Sequence, residues 1–110
     1  MAFTVAMKRV IEAKIKRLAQ EPPQSMAAKA FWKHLATVMK VLSETPVESG
    51  EILYHHQHVN LKEFTAVFGP LAVQYAVDEQ NHGVVVTRLT ITGKHSYPPE
   101  FEETMNQDPR

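Results

Sequence analysis

The sequence contains no cysteine, which excludes disulfides, a thiol nucleophile and cysteine-ligated zinc. Its four glycines form neither a phosphate-cradling loop nor a nucleophile elbow, and no carboxylate cluster has metal-ligand spacing. No apolar run nears the roughly 20 residues that a bilayer-spanning helix needs. The first amphipathic segment carries Lys8 and Arg9 and lacks the apolar core of a signal peptide, so the chain reads as cytoplasmic. Excess charge is missing too, since 12 basic residues meet 12 acidic ones. That balance argues against strong non-specific affinity for phosphate backbones. What is present is an ordinary globular composition, 44% hydrophobic and 22% charged. A chain of 110 residues reads as one domain, able to bury about two-thirds of its unfolded surface.

The neutral total conceals a split. Residues 1–45 carry eight basic side chains against three acidic ones, a net charge of +5; residues 46–110 carry four against nine, a net charge of −5. One half therefore offers a basic face, through Lys8, Lys14, Lys16, Lys29 and Lys33, with Lys62 as an isolated strand lysine. The other half ends in acidic residues.

Hydrophobic spacing supplies the elements. Met7, Ile11, Ile15 and Leu18 repeat at helical spacing, predicting a helix over about Thr4 to Gln20 with Thr4 as its N-cap, ended by Glu21-Pro22-Pro23. Ala28, Phe31, Leu35, Val38 and Leu42 predict a second helix from Gln24 or Ser25 to Ser43, with Phe31 and Trp32 in the core. Two strands follow, Ile52 to His58 and Lys62 to Phe68. A long hairpin then alternates Leu71, Val73, Tyr75 and Val77, turns at Asp78 to Gly83 with Asn81 or Gly83 at positive φ, and returns over Val84 to Ile91. In the returning strand Val85, Leu89 and Ile91 are read on one face and Arg88 on the other. Residues 98–110 read as a flexible acidic tail. The expected architecture is α+β: an N-terminal helical hairpin on a curved four-stranded antiparallel sheet.

Two clusters carry candidate chemistry. In Tyr54-His55-His56-Gln57-His58, the alternation of a strand puts His56 and His58 on one face and His55 on the other. With a third ligand from His82 or His95 these imidazoles are weak metal candidates, and no carboxylate sits at a supporting spacing. The stronger cluster follows the last strand, at Gly93-Lys94-His95-Ser96-Tyr97. A cation, an imidazole and a phenol at a strand end, joined by Arg88 upstream, suit work on a phosphodiester: Lys94 stabilises developing charge and His95 moves a proton.

The order of elements, together with Gly69, Val73, Tyr75, Val84 to Ile91 and Gly93-Lys94-His95, resembles the RelE/ParE toxin superfamily of bacterial toxin–antitoxin systems. The resemblance covers most of residues 5 to 97. For RelE-like members it implies ribosome-dependent cleavage of mRNA, with no cofactor, through basic residues and a C-terminal tyrosine. It carries over to Lys94, His95 and Tyr97 alone, with Arg88 added from the strand-end cluster, and implies an antitoxin protein as partner and a ribosome–mRNA target. ParE-like members inhibit gyrase instead. The chain departs from the pattern: no arginine falls between Arg17 and Arg88, Ala72 or a neighbour stands at a position usually held by arginine, the strand Lys62 to Phe68 has one lysine where several basic residues are usual, His95 stands where arginine is frequent, and the overall charge is neutral. These departures leave a second reading open, a catalytically silent relative that binds a partner protein. A histidine-based metal module is the third.

Overall fold

A computed structural model describes residues 2–20, 25–56, 58–92 and 97–107. The chain folds as β1 (Thr4–Met7), α1 (Arg9–Ala19), α2 (Met26–Glu44), β2 (Glu51–His56), β3 (Leu61–Phe68), β4 (Leu71–Asp78), β5 (Gly83–Ile91) and α3 (Pro99–Asn106). The class is α+β as expected. The sheet has five strands where four were expected, in the order β1-β5-β4-β3-β2. It is mixed, because β1 runs parallel to β5 while the other pairs are antiparallel.

The extra strand is the first correction. Thr4–Met7 was read as the opening turn of a helix, yet Val5 pairs with Val84 and Met7 with Val86. Met7 falls in phase with Ile11, Ile15 and Leu18, so the helical stripe continued backwards through a segment that pairs with residues about eighty positions away. The helix begins only after Lys8, which occupies its N-cap without a side-chain cap bond. Lys8 N–H still donates to Val86 O at 3.1 Å, ending the strand pairing. The proline stop at Glu21 to Pro23 lies outside the described residues.

α2 follows its sequence closely. Ser25 caps it, accepting from Ala28 N–H at 3.1 Å, and Ala28, Phe31, Leu35, Val38 and Leu42 are all buried. On β4 every second residue, Leu71, Val73, Tyr75 and Val77, is fully buried. β5 requires a correction. Tyr75 pairs with Val86 and Gln74 with Arg88, so Thr87 is an extra residue, a β-bulge. The bulge reverses the alternation. Val84 and Val86 before it, and Leu89 and Ile91 after it, all face the core, while Val85 is exposed. The turn differs as well: His82 takes the positive φ (53°), with neither Asn81 nor Gly83 doing so. Asn81 makes an Asx turn, its N–H and its side-chain amide both donating to the Asp78 carboxylate. Those bonds hold the Asp78 carboxyl below its ordinary value.

The segment read as a flexible tail contains α3, whose Phe101 and Met105, one turn apart, are buried. Pro99 suits the first helical position, and Glu100 and Glu102 in the first turn complement the helix dipole. Phe101 lies edge-on to Phe31 at 5.0 Å and to Trp32 at 6.1 Å. α3 thus closes the core between α2 and β5, and it also packs on α1. Two apolar residues in the eight positions of α3 are too few to show a helical stripe in the sequence.

The deepest polar group is the Tyr75 hydroxyl. It donates to Pro46 O at 2.6 Å, and the ring stacks on Phe64 at 5.6 Å. Gly50 makes room for it, since a Cβ there would lie 2.3 Å from the hydroxyl oxygen. Burial, with a smaller contribution from the Glu48 charge, pushes the Tyr75 phenol up to about 12. The folded state therefore holds this proton more tightly than the unfolded chain. The resulting stability is full below the ordinary value of 10 and declines as pH rises through about 12, by up to about 1.4 kcal/mol per pH unit. Urea midpoints measured from pH 9 to 12 should show this fall. In Tyr75→Phe, which leaves the Pro46 carbonyl unpaired at a cost of about 1–2 kcal/mol, the fall should be shallower.

Candidate functional site

The core-facing side of the sheet is covered, while the opposite side carries polar residues in rows. Register places Thr65, Gln74 and Arg88 abreast on β3, β4 and β5. The next row holds Tyr54, Glu63, Ala76 and Val85. The bulge at Thr87 sets Arg88 into the first row. Beside these rows the chain leaves a groove of about 600 Å³, lined by Lys8, Val10, Ile11 and Lys14 of the α1 region, Glu63, Gln74, residues 87–90 of β5, and residues 105–107 at the end of α3. The start of α1 opens into it and adds the positive end of a helix dipole.

Of the basic residues singled out in the sequence, Arg88, Lys8 and Lys14 meet here. Arg88 and Lys8 are exposed. Lys14 is already engaged, its ammonium donating to Gln107 O at 2.7 Å and Met105 O at 3.2 Å. It therefore closes the C-terminal end of α3, where free carbonyls favour a cation. Lys16 pairs with Glu12 at 2.9 Å on the α1 surface, and the Lys16 ammonium draws the Glu12 carboxyl below its ordinary value. Lys62 pairs with Glu79 at 2.8 Å. Lys29 and Lys33 are exposed on α2 and do not line the groove.

Tyr97 is displaced from the expected arrangement. It is buried, edge-on to Phe31 at 5.5 Å, and its hydroxyl is hydrogen-bonded with His34 Nδ1. Burial pushes its phenol up. It anchors the chain before α3 to α2 and does not line the groove beside Arg88. Lys94 and His95 lie outside the described residues.

The histidine cluster resolves differently from its sequence reading. β2 ends at His56, so His58 lies past the strand. His82 sits edge-on to Phe3 at 5.4 Å. Among the described residues no three histidine or carboxylate side chains are grouped to hold a metal. A carboxylate from the next strand does reach His56. His56 Nε2–H donates to Glu63 Oε2 at 2.6 Å, across the β2–β3 pair, with the Tyr54 ring 4.4 Å from the imidazole. Sequence spacing missed this contact because the strands meet through a bulge at Leu53. Only the pairing register would have revealed it.

α3 is tied to this site by an amide. Asn106 Oδ1 accepts from Ile91 N–H at 2.8 Å, and Asn106 Nδ2 donates to Ile91 O at 2.8 Å. The side chain thus pairs with β5 as a neighbouring strand would.

No family model matches the chain, and no curated sequence does. Solved structures match it over most of its length. A chain of the archaeal RelE–RelB complex from Pyrococcus horikoshii OT3 superposes with a TM-score of 0.59 and 20% identity, covering 86% of this chain and 99% of that one. A chain of the toxin–antitoxin complex RelBE2 from Mycobacterium tuberculosis gives 0.55 and 20%, covering 84% and 100%. The fold is RelE-like. The RelE-like fold accounts for the α+β arrangement of helices and a five-stranded sheet.

Replacing Asn106 by alanine should remove both bonds to Ile91 and cost about 1–2 kcal/mol. Hydrogen exchange at the Ile91 amide should accelerate well beyond that at Val73, in the middle of β4.

Proposed function

We propose that this chain is the toxin-like member of a toxin–antitoxin pair, acting in the cytoplasm on ribosome-associated RNA. The observation that supports this most is the groove on a RelE-like sheet, where Arg88, Lys8 and the start of α1 present positive charge to one open space. A phosphodiester fits that charge, and Arg88 is the side chain suited to bridge two of its oxygens. Lys94 and His95 stand three and four residues after Ile91 in sequence. They complete the proposed working set, as charge stabiliser and proton carrier. Lys29 and Lys33 are proposed to extend the contact to ribosomal RNA, where each phosphate contact adds salt dependence to binding.

A second observation favours a partner protein on the same molecule. β2 is an edge strand, and Ile52, Leu53 and Tyr54 are each more than half exposed. An antitoxin adding a strand there would satisfy the free backbone groups and cover these side chains.

Inducible expression in a bacterial host tests the proposal, following growth together with incorporation of a labelled amino acid. Growth should arrest with a prompt fall in incorporation, and Arg88→Ala combined with Lys8→Ala should weaken the effect at least about tenfold, the equivalent of 1.4 kcal/mol. Normal growth at verified soluble expression would reject action on translation. The partner-binding role would then stand alone, to be tested by co-purification with the product of the adjacent gene.

A further inference from the structure

The geometry points to Glu63 as the proton acceptor of the groove, held in orientation by His56. This inference rests on the RNA-cleavage reading and adds to it a carboxylate base among the described residues of the groove. Among the described residues that line the groove, Lys8, Lys14 and Arg88 are cations, Gln74, Asn106 and Gln107 are amides, and the rest are hydroxyl or apolar. Glu63 is the one carboxylate there, and so the one anionic acceptor.

Its setting suits that task. Glu63 alternates with buried Phe64 and so points away from the core. Its cross-strand neighbours are the small Ala76 on β4 and Tyr54 on β2. One oxygen, Oε2, takes the hydrogen bond from His56 at 2.6 Å. The other, Oε1, takes none among the described residues. The pair is neither sequestered nor free, with side chains 40% and 41% exposed for Glu63 and His56. A carboxylate fixed through one oxygen and open at the other is poised to accept a proton from a bound hydroxyl. His56 does not line the groove, so it acts through Glu63 as a positioning residue.

The step conserves every atom. Glu63 removes the proton of a ribose 2′-hydroxyl, and the 2′-oxygen forms a bond to the adjacent phosphorus. The bond from phosphorus to the 5′-oxygen breaks, and that oxygen takes a proton from water. The products are a 2′,3′-cyclic phosphate and a 5′-hydroxyl, and Glu63 returns its proton to solvent. Arg88 offsets the charge that grows on the phosphate oxygens.

The test uses a 5′-labelled mRNA on bacterial ribosomes, with binding and thermal midpoint measured for each variant. Glu63→Gln should cut the cleavage rate about 100-fold or more, while ribosome binding stays equal or tightens because a negative charge has gone. Glu63→Asp keeps a carboxylate and should retain an intermediate rate, which separates loss of the base from loss of the fold. The split between kcat and KM gives the readout for His56. His56→Ala, which leaves Glu63 without its hydrogen bond, should lower kcat with KM nearly unchanged, whereas His56→Gln, which can still donate, should restore it. A merely structural His56 would lower the thermal midpoint and leave kcat in place. If wild-type protein cleaves and Glu63→Gln cleaves equally fast, Glu63 is not the base and the RNA-cleavage reading survives. If wild-type protein leaves the mRNA intact, both fail together.

Discussion

β5 presents a longer edge than β1 can cover, and the rest of the molecule is arranged around that shortfall. β1 pairs only with Gly83–Val86. Past the Thr87 bulge the edge still carries backbone donors and acceptors, which cost free energy when buried without partners. Asn106 meets them at Ile91 through both ends of its amide. A side chain from a helix thereby continues the sheet where the parallel strand stops. The helix that delivers it is held in turn by Phe101 against Phe31 and Trp32 and by Lys14 at its carbonyl end. The groove is what remains between β5, the start of α1 and the end of α3.

The same arrangement explains how a chain of zero net charge carries a cationic groove. Lysines that a count places on an open basic face are partly consumed within the molecule, with Lys14 on carbonyls, Lys16 on Glu12 and Lys62 on Glu79. Exposed ion pairs of this kind add at most about 1 kcal/mol each, so their main effect is on the field. They neutralise peripheral positive charge and leave Arg88 and Lys8, which line the groove, without an ion pair among the described residues. Local placement, more than net charge, sets what the groove attracts.

Sequence periodicity read α2 and β4 almost residue for residue, because their apolar stripes lie within one element and obey one period. It also gave the α+β class. It missed β1, whose four residues gain strand structure only from β5, and it missed the bulge, since one inserted residue reverses the alternation without changing composition. α3 escaped because two apolar anchors in eight residues leave no stripe. The site was legible in part. Arg88 and Lys8 could be named from charge, but the His56–Glu63 contact depends on a register shift at Leu53 that no local pattern records. Tyr97 was named for its phenol and proved to be core, since Phe31 and His34 receive it from a helix sixty residues earlier.

The two edges of the sheet are treated oppositely, and under the proposed function that asymmetry would link binding to chemistry. At the β5 side the chain seals its own edge with a strand and an amide. At the β2 side it leaves Ile52, Leu53 and Tyr54 uncovered, without the proline or lysine that commonly protects an edge. β2 is also the strand that supplies His56 to Glu63. A strand added along β2 would run beside the imidazole and restrict the bulge at Leu53 that brings it to Glu63. Any partner captured there would act on the orientation of the groove's carboxylate without entering the groove.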